Sequence, residues 1–311
     1  MASRLLFERA PSGFRTVQGG VVEDLQGALV AAGFDVQGVD GVFGGNTETA
    51  LQAWQRSRGL VPTGRVDVDA WTGLTNRPPP PTFERSLQLT ADFEGHGFTL
   101  VVGNFDGAGL TWGIIGFTLL TGDLGPVLRE IRRDHPAVFS AAFGPLEPEL
   151  VRVLGAPAAE QRRFADSISL PPNRRRVRPE WKEAFARLGR APQARAVQLR
   201  HAEGRWRRAL DEMERFGLRS ELGAALCYDV VVQNGGFEAD EVARIRRGMQ
   251  ASPGAPERAV RELIASVVAE GSRPQFVEDV RRRKLTIATG TGSVHGARYR
   301  LGGWGLDELP A

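Results

Sequence analysis

The sequence has 311 residues, of which 41% are hydrophobic and 25% are charged. This composition is typical of a globular protein long enough for two cores. No apolar run approaches the roughly 18 residues needed to cross a bilayer, so we expect no membrane insertion. The one cysteine, Cys227, excludes an intramolecular disulfide, and the four histidines are not spaced like metal ligands. We therefore predict no metal and no other cofactor.

The formal net charge of +3 is unevenly distributed. Residues 1–84 carry seven arginines against nine acidic residues, which leaves the rest of the chain basic. The run Arg174-Arg175-Arg176-Val177-Arg178 belongs to this excess. It is either a solvated loop or a contact for an anionic glycan. Because no nucleic-acid-binding motif accompanies it, we do not expect nucleic acid as a partner.

The first nine residues contain only a short apolar patch, which differs from a Sec-type signal peptide. We therefore expect the protein to be made in the cytoplasm. If its substrate lies in the periplasm or outside the cell, it would reach that substrate after lysis or through injection by a secretion machine.

Residues 20–76 are predicted to form three helices. Apolar residues recur at helical spacing from Val21 to Leu29, and Gly33 is placed to end the first helix. Thr47 is a candidate N-cap for the second helix, Gly59 ends it, and Asp69 is a candidate cap for the third.

This segment resembles the three-helix peptidoglycan-binding domain. The matching residues, in order, are Asp40-Gly41-Val42-Phe43-Gly44, Thr47, Ala50-Leu51, Trp54-Gln55, Gly59-Leu60, Thr63-Gly64, Val66 and Trp71. The resemblance implies a surface that binds the cell wall. We interpret the aromatic residues as core, and we take Arg56 and Arg58 as candidate contacts to the glycan.

Four prolines at residues 78–81 predict a stiff, extended connection. We therefore divide the chain into an N-terminal segment (1–19), a wall-binding domain (20–76), a linker (77–82) and a second domain (83–311).

The second domain is predicted to be mostly helical. A helix over residues 83–93 carries Glu94 at its end, and a short strand follows at 98–102. Residues 111–120 are apolar and predict a helix that enters the core. Further helices are expected at 123–134, 146–154, 158–167, 179–189, 193–216, 219–234, 238–250, 256–270 and 273–283, of which 219–234 is apolar on nearly all sides and therefore central.

Two carboxylates stand out, Glu94 before Gly-His-Gly and Asp106 in a glycine-rich turn twelve residues later. Hydrolysis of a glycosidic bond uses such a pair, with one group to protonate the leaving oxygen and one to activate water. Both positions also fit ordinary roles, since a glutamate often ends a helix and Asp-Gly is a common turn.

The stretch from Asp106 to Phe117, with Thr121-Gly122-Asp123 and residues 228–235, resembles the chitosanase family of the lysozyme superfamily. The resemblance implies a mainly α protein: an α+β lysozyme-like catalytic domain with a small β element, beside the three-helix wall-binding domain. It further implies roles for individual residues: Glu94 as general acid, Asp106 as base, Thr111 to orient water, and Asp229 and Arg273 in support of them. Because Asp229 lies on an apolar helix, we expect it to pair with an arginine. His96 and Asn104 are candidate substrate contacts.

The substrate of that family is a polycation, which a basic catalytic domain disfavours. Together with the wall-binding domain, this predicts a peptidoglycan hydrolase of the muramidase type that cleaves β-1,4 bonds, with inversion implied by the family. A chitosanase, a lytic transglycosylase and a non-catalytic wall-binding protein remain alternatives. We expect a monomer whose partner is peptidoglycan, either a phage endolysin or an antibacterial effector. An effector would add an immunity protein or a secretion-machine component as a partner.

Overall fold

The computed structural model describes residues 3–95 and 97–311, which are mainly helical. The elements up to the first candidate carboxylate are β1 (Leu5–Phe7), α1 (Gly20–Ala31), α2 (Gly45–Ser57), β2 (Val66–Asp67), α3 (Val68–Thr75) and α4 (Thr82–Glu94). Next come β3 (Val101–Val102), β4 (Thr111–Trp112), β5 (Phe117–Thr118), α5 (Leu124–Asp134), α6 (Pro136–Phe143), α7 (Glu147–Leu154), α8 (Ala158–Ile168), β6 (Ser169–Leu170), β7 (Arg176–Val177), α9 (Pro179–Arg190) and α10 (Pro192–Arg215). The last elements are α11 (Glu221–Asn234), α12 (Ala239–Ala251), α13 (Glu257–Gly271), α14 (Val277–Thr289), β8 (Thr291–Val294) and β9 (Ala297–Arg300).

These elements confirm the predicted fold class, mainly α with a small β element and a separate group of three helices. None of the helices in the described ranges is long and apolar enough to cross a membrane. The chain forms two compact units. The first combines the residues up to Phe93 with Arg205–Ala311, and the second consists of Glu94–Gly204.

In the first unit, α1–α3 form the expected three-helix group around an aromatic core. Phe43, Trp54 and Trp71 are all buried there, as predicted. Two helix starts differ from the prediction. Helix α2 begins at Gly45, two residues before Thr47, and the side chain that caps α3 is Asp67, which accepts a hydrogen bond from the Ala70 amide at 2.8 Å.

The residues on both sides of the three-helix group hold it against α4. Strand β1 pairs with β2, and the carbonyl of Pro78 accepts a hydrogen bond from Trp71 Nε1 at 2.9 Å. Gly19 has a φ of 108°, which favours glycine, and an added Cβ would lie 2.0 Å from the side-chain amide of Gln88 on α4 and would displace it. The proline segment therefore joins two packed parts of one unit.

The carboxylate of Asp92, near the end of α4, also binds other parts of the first unit. It accepts hydrogen bonds from Arg15 Nη2 at 2.9 Å, from Tyr299 Oη at 2.7 Å and from the side-chain amide of Gln18. Arg15 and Gln18 belong to the N-terminal segment that precedes α1, and Tyr299 belongs to the β8–β9 hairpin. The end of α4 is thus bound to both of these parts.

Helix α11 is the predicted central helix. Ser220 caps its start by accepting a hydrogen bond from the Gly223 amide at 3.0 Å, and Gly235 ends it with a φ of 81°. Its residues are buried from Glu221 to Val231, and α13 and α14 pack against it. The helix expected at 273–283 is shifted, because Pro274–Phe276 forms a 3₁₀ turn and α14 then runs from Val277 to Thr289.

The second unit contains the three-stranded antiparallel sheet β3–β4–β5 beside helices α5–α9. The prediction of a helix over 111–120 is wrong, since this apolar run forms β4, a turn and β5. Gly113 and Gly116 allow the turn with φ values of 88° and 66°. Trp112 on β4 is fully buried, and its ring lies 5.6 Å from that of Phe185, which fixes the sheet to α9.

Candidate active site

Glu94 is the last residue of α4, as predicted, and its side chain is exposed. Gly95 follows with a φ of 67°, the left-handed conformation that commonly ends a helix. The candidate contact His96 lies outside the described residues.

Asp106 lies in the loop that joins β3 to β4. The register pairs Val102 with Thr111, so residues 103–110 form the connection and Asp106 is at its middle. Its Oδ1 accepts a hydrogen bond from the Ala108 amide at 3.0 Å, and Gly107 follows with a φ of 88°. The carboxylate is exposed and is held by its own turn, so the turn and the proposed chemistry are compatible.

Asn104 braces this loop from inside. It is 5% exposed, its Nδ2 donates to Asp166 Oδ1 at 2.8 Å, and its Oδ1 accepts from the Gly109 amide at 2.9 Å. Its backbone amide donates to Ser169 Oγ at 2.8 Å. The side-chain amide is therefore engaged at both ends within the protein, which gives Asn104 a structural role, and its contact with substrate stays a prediction.

The segment before β7 approaches the loop closely. The Gly103 amide donates to the carbonyl of Arg175 at 2.9 Å. A Cβ at Gly103 would lie 2.3 Å from the carbonyl oxygen of Arg174, so no larger residue fits without a shift. The basic run found in the sequence is thereby fixed next to the Asp106 loop.

Three arginines surround the loop. Arg162 Nη1, from α8, donates to the carbonyl of Gly107 at 3.0 Å. The guanidinium carbon of Arg175 lies over the Phe105 ring, 4.0 Å from its centre, and Phe105 is 41% exposed. Arg174 forms an ion pair with Asp166 at 2.9 Å. The exposed surface next to Asp106 is therefore cationic and partly aromatic.

Thr111 follows the loop as the first residue of β4. It pairs with Val102 on one side and Thr118 on the other, and it is 9% exposed. The sheet therefore fixes its backbone five residues after Asp106. Its role in orienting water stays a prediction.

Asp229 is fully buried in the first unit, in a cluster of ionic contacts. Its carboxylate accepts from Arg283 Nη2 at 2.7 Å, from Lys284 Nζ at 2.6 Å and from Thr90 Oγ1 at 3.1 Å. The expected arginine partner is thus Arg283. Arg273 is exposed beside the 3₁₀ turn, and its supporting role stays a prediction.

The charges of this cluster determine its protonation. Burial alone raises the pKa of a carboxyl, but Arg283 and Lys284 outweigh burial and hold the pKa of Asp229 below its ordinary value. The cluster is therefore ionised at neutral pH. Thr90 connects it to α4, one helical turn before Glu94.

Sequence reasoning missed Arg283, Lys284 and the arginine contacts of the Asp106 loop. One signal was available for the first pair, since four cations in a row, Arg281-Arg282-Arg283-Lys284, point to every side of a helix. A packed helix with that run must bury some of them. The contact of Arg162 had no comparable signal, because it joins residues 55 positions apart.

The wall-binding candidates Arg56 and Arg58 are exposed at the end of α2 and just after it. Their contact with glycan stays a prediction. Nowhere in residues 3–95 and 97–311 do three or more His, Cys, Asp or Glu side chains gather as potential metal ligands.

Comparison with known proteins adds two family matches and several similar structures. No curated protein matches the chain. A chitosanase of Bacillus subtilis MY002 in complex with 6 GlcN is 18% identical, with 70% of this chain and 97% of that chain covered and a TM-score of 0.49. A chitosanase of Gynuella sunshinyii in complex with chitotetraose is 19% identical, with coverages of 68% and 87% and a TM-score of 0.45.

The family matches cover both parts of the sequence that carry the resemblances. The model of the peptidoglycan binding domain matches residues 18–74. The model of glycosyl hydrolase family 46 matches residues 93–263, which is more than half of the chain and includes both candidate carboxylates. The chain therefore belongs to glycosyl hydrolase family 46 and carries a peptidoglycan binding domain in residues 18–74.

Proposed function

We propose that the protein is a peptidoglycan hydrolase that cleaves β-1,4 bonds of the glycan strand, as a muramidase does. The observation that carries this proposal is the presence of a family 46 glycoside hydrolase and a peptidoglycan binding domain in one chain. A binding domain raises the local concentration of its polymer, so a catalytic site with modest affinity is sufficient. In this proposal residues 20–76 bind the wall and residues 83–311 catalyse.

The proposed reaction is a single displacement at the anomeric carbon. Glu94 donates its proton to the leaving glycosidic oxygen while that bond breaks. Asp106 takes a proton from the attacking water, whose oxygen forms the new bond, and Thr111 orients this water. The exposure of both carboxylates supports access by a polymer. The product is a reducing end with inverted configuration.

The buried cluster supports this reaction from a distance. Thr90 and Glu94 are four residues apart on α4 and therefore lie on one face of the helix. The bond from Thr90 to Asp229 fixes that face one turn before the proposed acid. We assign Asp229 and Arg283 as positioning residues for α4.

Chitosan hydrolysis is the second candidate, because the similar solved structures are described as chitosanases. The arginines beside Asp106 count against it, since a polycationic chain would be repelled there. Two alternatives remain. A lytic transglycosylase would need only the general acid, Glu94, and a non-catalytic wall-binding protein would need neither carboxylate.

Mass spectrometry of the products from purified peptidoglycan tests the proposal directly. We expect wild type to release fragments with reducing ends. Glu94→Gln and Asp106→Asn should each lower the rate about 100- to 10,000-fold, the usual contribution of a general acid or base. Cleavage of chitosan alone would establish a chitosanase. Anhydro ends with an active Asp106→Asn variant would establish a transglycosylase, and binding without cleavage a non-catalytic protein.

The biological setting follows from the substrate. Both domains fit action on the cell wall. A phage endolysin reaches the wall after lysis, and an antibacterial effector reaches it by injection into a rival cell. Co-purification of an inhibitory protein with the wild-type chain would favour the effector, which requires an immunity protein for the producing cell.

A further inference from the structure

The arginines next to Asp106 point to a determinant of substrate specificity. Resting on the proposed function, we propose that Arg162 and Arg175 recognise the carboxylates of the peptidoglycan strand and disfavour polycationic glycans. Peptidoglycan carries carboxylates on its lactyl groups or on the peptides attached to them. Chitosan instead carries ammonium groups along its length.

Arg162 lies on α8 beside the candidate base. Its Nη1 atom donates to the carbonyl of Gly107, the residue directly after Asp106. One hydrogen bond leaves the other N–H groups of a guanidinium for a further acceptor. A saccharide held against Asp106 therefore comes within reach of this cation.

Arg175, which precedes β7, lies on the other side of Asp106. Its carbonyl is fixed by the Gly103 amide, and its guanidinium carbon lies over the ring of Phe105, the residue directly before Asp106. A cation–π contact of this kind uses none of the N–H groups as hydrogen-bond donors to a carboxylate. The edge of a guanidinium matches both oxygens of a carboxylate, and the exposed Phe105 ring adds an apolar surface of the kind that packs on a sugar.

The local charge of this segment is strongly positive. Residues 162–178 contain six arginines and one acidic residue, Asp166. Asp166 is engaged by Asn104 and Arg174, so it neutralises a different arginine from the two that flank Asp106. The surface at the candidate base is therefore positive, which attracts an anionic strand and repels a cationic one.

Charge reversal with a matched control tests the inference. The test variant is the double substitution Arg162→Glu with Arg175→Glu. The control is Arg163→Glu with Arg176→Glu, which makes the same change in net charge at the two neighbouring positions. Arg163 is exposed on another side of α8, and Arg176 donates to the carbonyl of Pro171 at 3.3 Å. Equal melting temperatures and circular dichroism verify that both variants are folded.

Initial rates on purified peptidoglycan and on soluble chitosan are then compared at low salt. We expect the initial rate of the test variant to fall roughly tenfold on peptidoglycan and to rise on chitosan. The initial rates of the control should stay within about twofold of wild type on both substrates. Amidation of the peptidoglycan carboxylates should slow wild type to a similar extent and should not slow the test variant, whose glutamates repel those carboxylates.

The outcomes separate the two proposals. Wild type that cleaves chitosan alone overturns the proposed function and this inference with it. Wild type that cleaves peptidoglycan, with equal effects in the test variant and the control, overturns only the inference. Equal rates of wild type on native and amidated peptidoglycan also overturn it, because no carboxylate is then recognised.

Discussion

The ionic cluster at Asp229 gives a prediction whose size follows from its geometry. Replacing Asp229 with asparagine keeps the shape of the side chain and removes its charge. Arg283 and Lys284 then lose a counter-charge that lies 2.7 and 2.6 Å away in a fully buried position. Loss of one partner from a buried ion pair costs about 3–5 kcal/mol, and asparagine recovers part of the hydrogen bonding. We expect a loss of about 3 kcal/mol in the free energy of unfolding.

Urea unfolding at pH 7 measures this loss, and Thr90→Val is the matched control. Valine removes only the hydroxyl that donates to Asp229 at 3.1 Å, so it should cost about 1 kcal/mol. A Thr90→Val variant as unstable as Asp229→Asn would show that packing at α4, and not charge, dominates the cluster.

The Asp229→Asn variant also tests how the free energy of unfolding depends on pH. The pKa of Asp229 is lowered in the folded state, so its stabilising contribution is fully present above the ordinary pKa of 3.8. The contribution is lost as the pH falls through the folded value. The difference between wild type and Asp229→Asn should therefore be constant from about pH 5 to 8 and shrink below pH 4. A difference under 1 kcal/mol at pH 7, or one that grows on acidification, would refute the reasoning.

Three further predictions concern other parts of the chain. Gly103→Ala places a methyl group 2.3 Å from the carbonyl of Arg174, so we expect at least a tenfold loss of activity in rate assays, and full activity would contradict this close approach. Cys227 is fully buried and burial raises the pKa of its thiol, so it should react with a thiol reagent only after denaturation; rapid labelling of the native protein would contradict its burial. Tyr299→Phe removes the 2.7 Å hydrogen bond to Asp92 and should cost about 1–2 kcal/mol in urea unfolding, whereas unchanged stability would show that this bond is not needed.

The sequence predicted the features that depend on local pattern. The end of α4 at Glu94 followed from the glycine after it, and the central α11 followed from its continuous apolar surface. The three-helix group followed from helical periodicity, but the cap of α3 was assigned to Asp69 instead of Asp67. Both aspartates are near the helix start, and only the backbone conformation distinguishes them.

Features that depend on distant contacts were not predictable in this way. An apolar run such as 111–120 fits either a buried helix or buried strands. In the structure Gly113 and Gly116 have positive φ values, which interrupt a helix and allow the turn between two strands. The partner of Asp229 is a choice among many arginines, and the structure selects Arg283 because α14 packs on α11. The side chain of Asn104 is used internally because Asp166 comes within 2.8 Å, from 62 residues away.

The attachment of α4 to the three-helix group has a consequence for the lengths of the glycan fragments that the protein would release. A module on a flexible tether allows cleavage anywhere within the reach of the tether. Here Gly19 lies directly against α4, and Asp92 is bound by Arg15 and Gln18. If the proposed function is correct, the glycan strand bound by the three-helix group lies at a fixed distance from the end of α4. Glycan fragments would consequently cluster at preferred lengths, and loosening this attachment by Arg15→Ala would broaden their distribution.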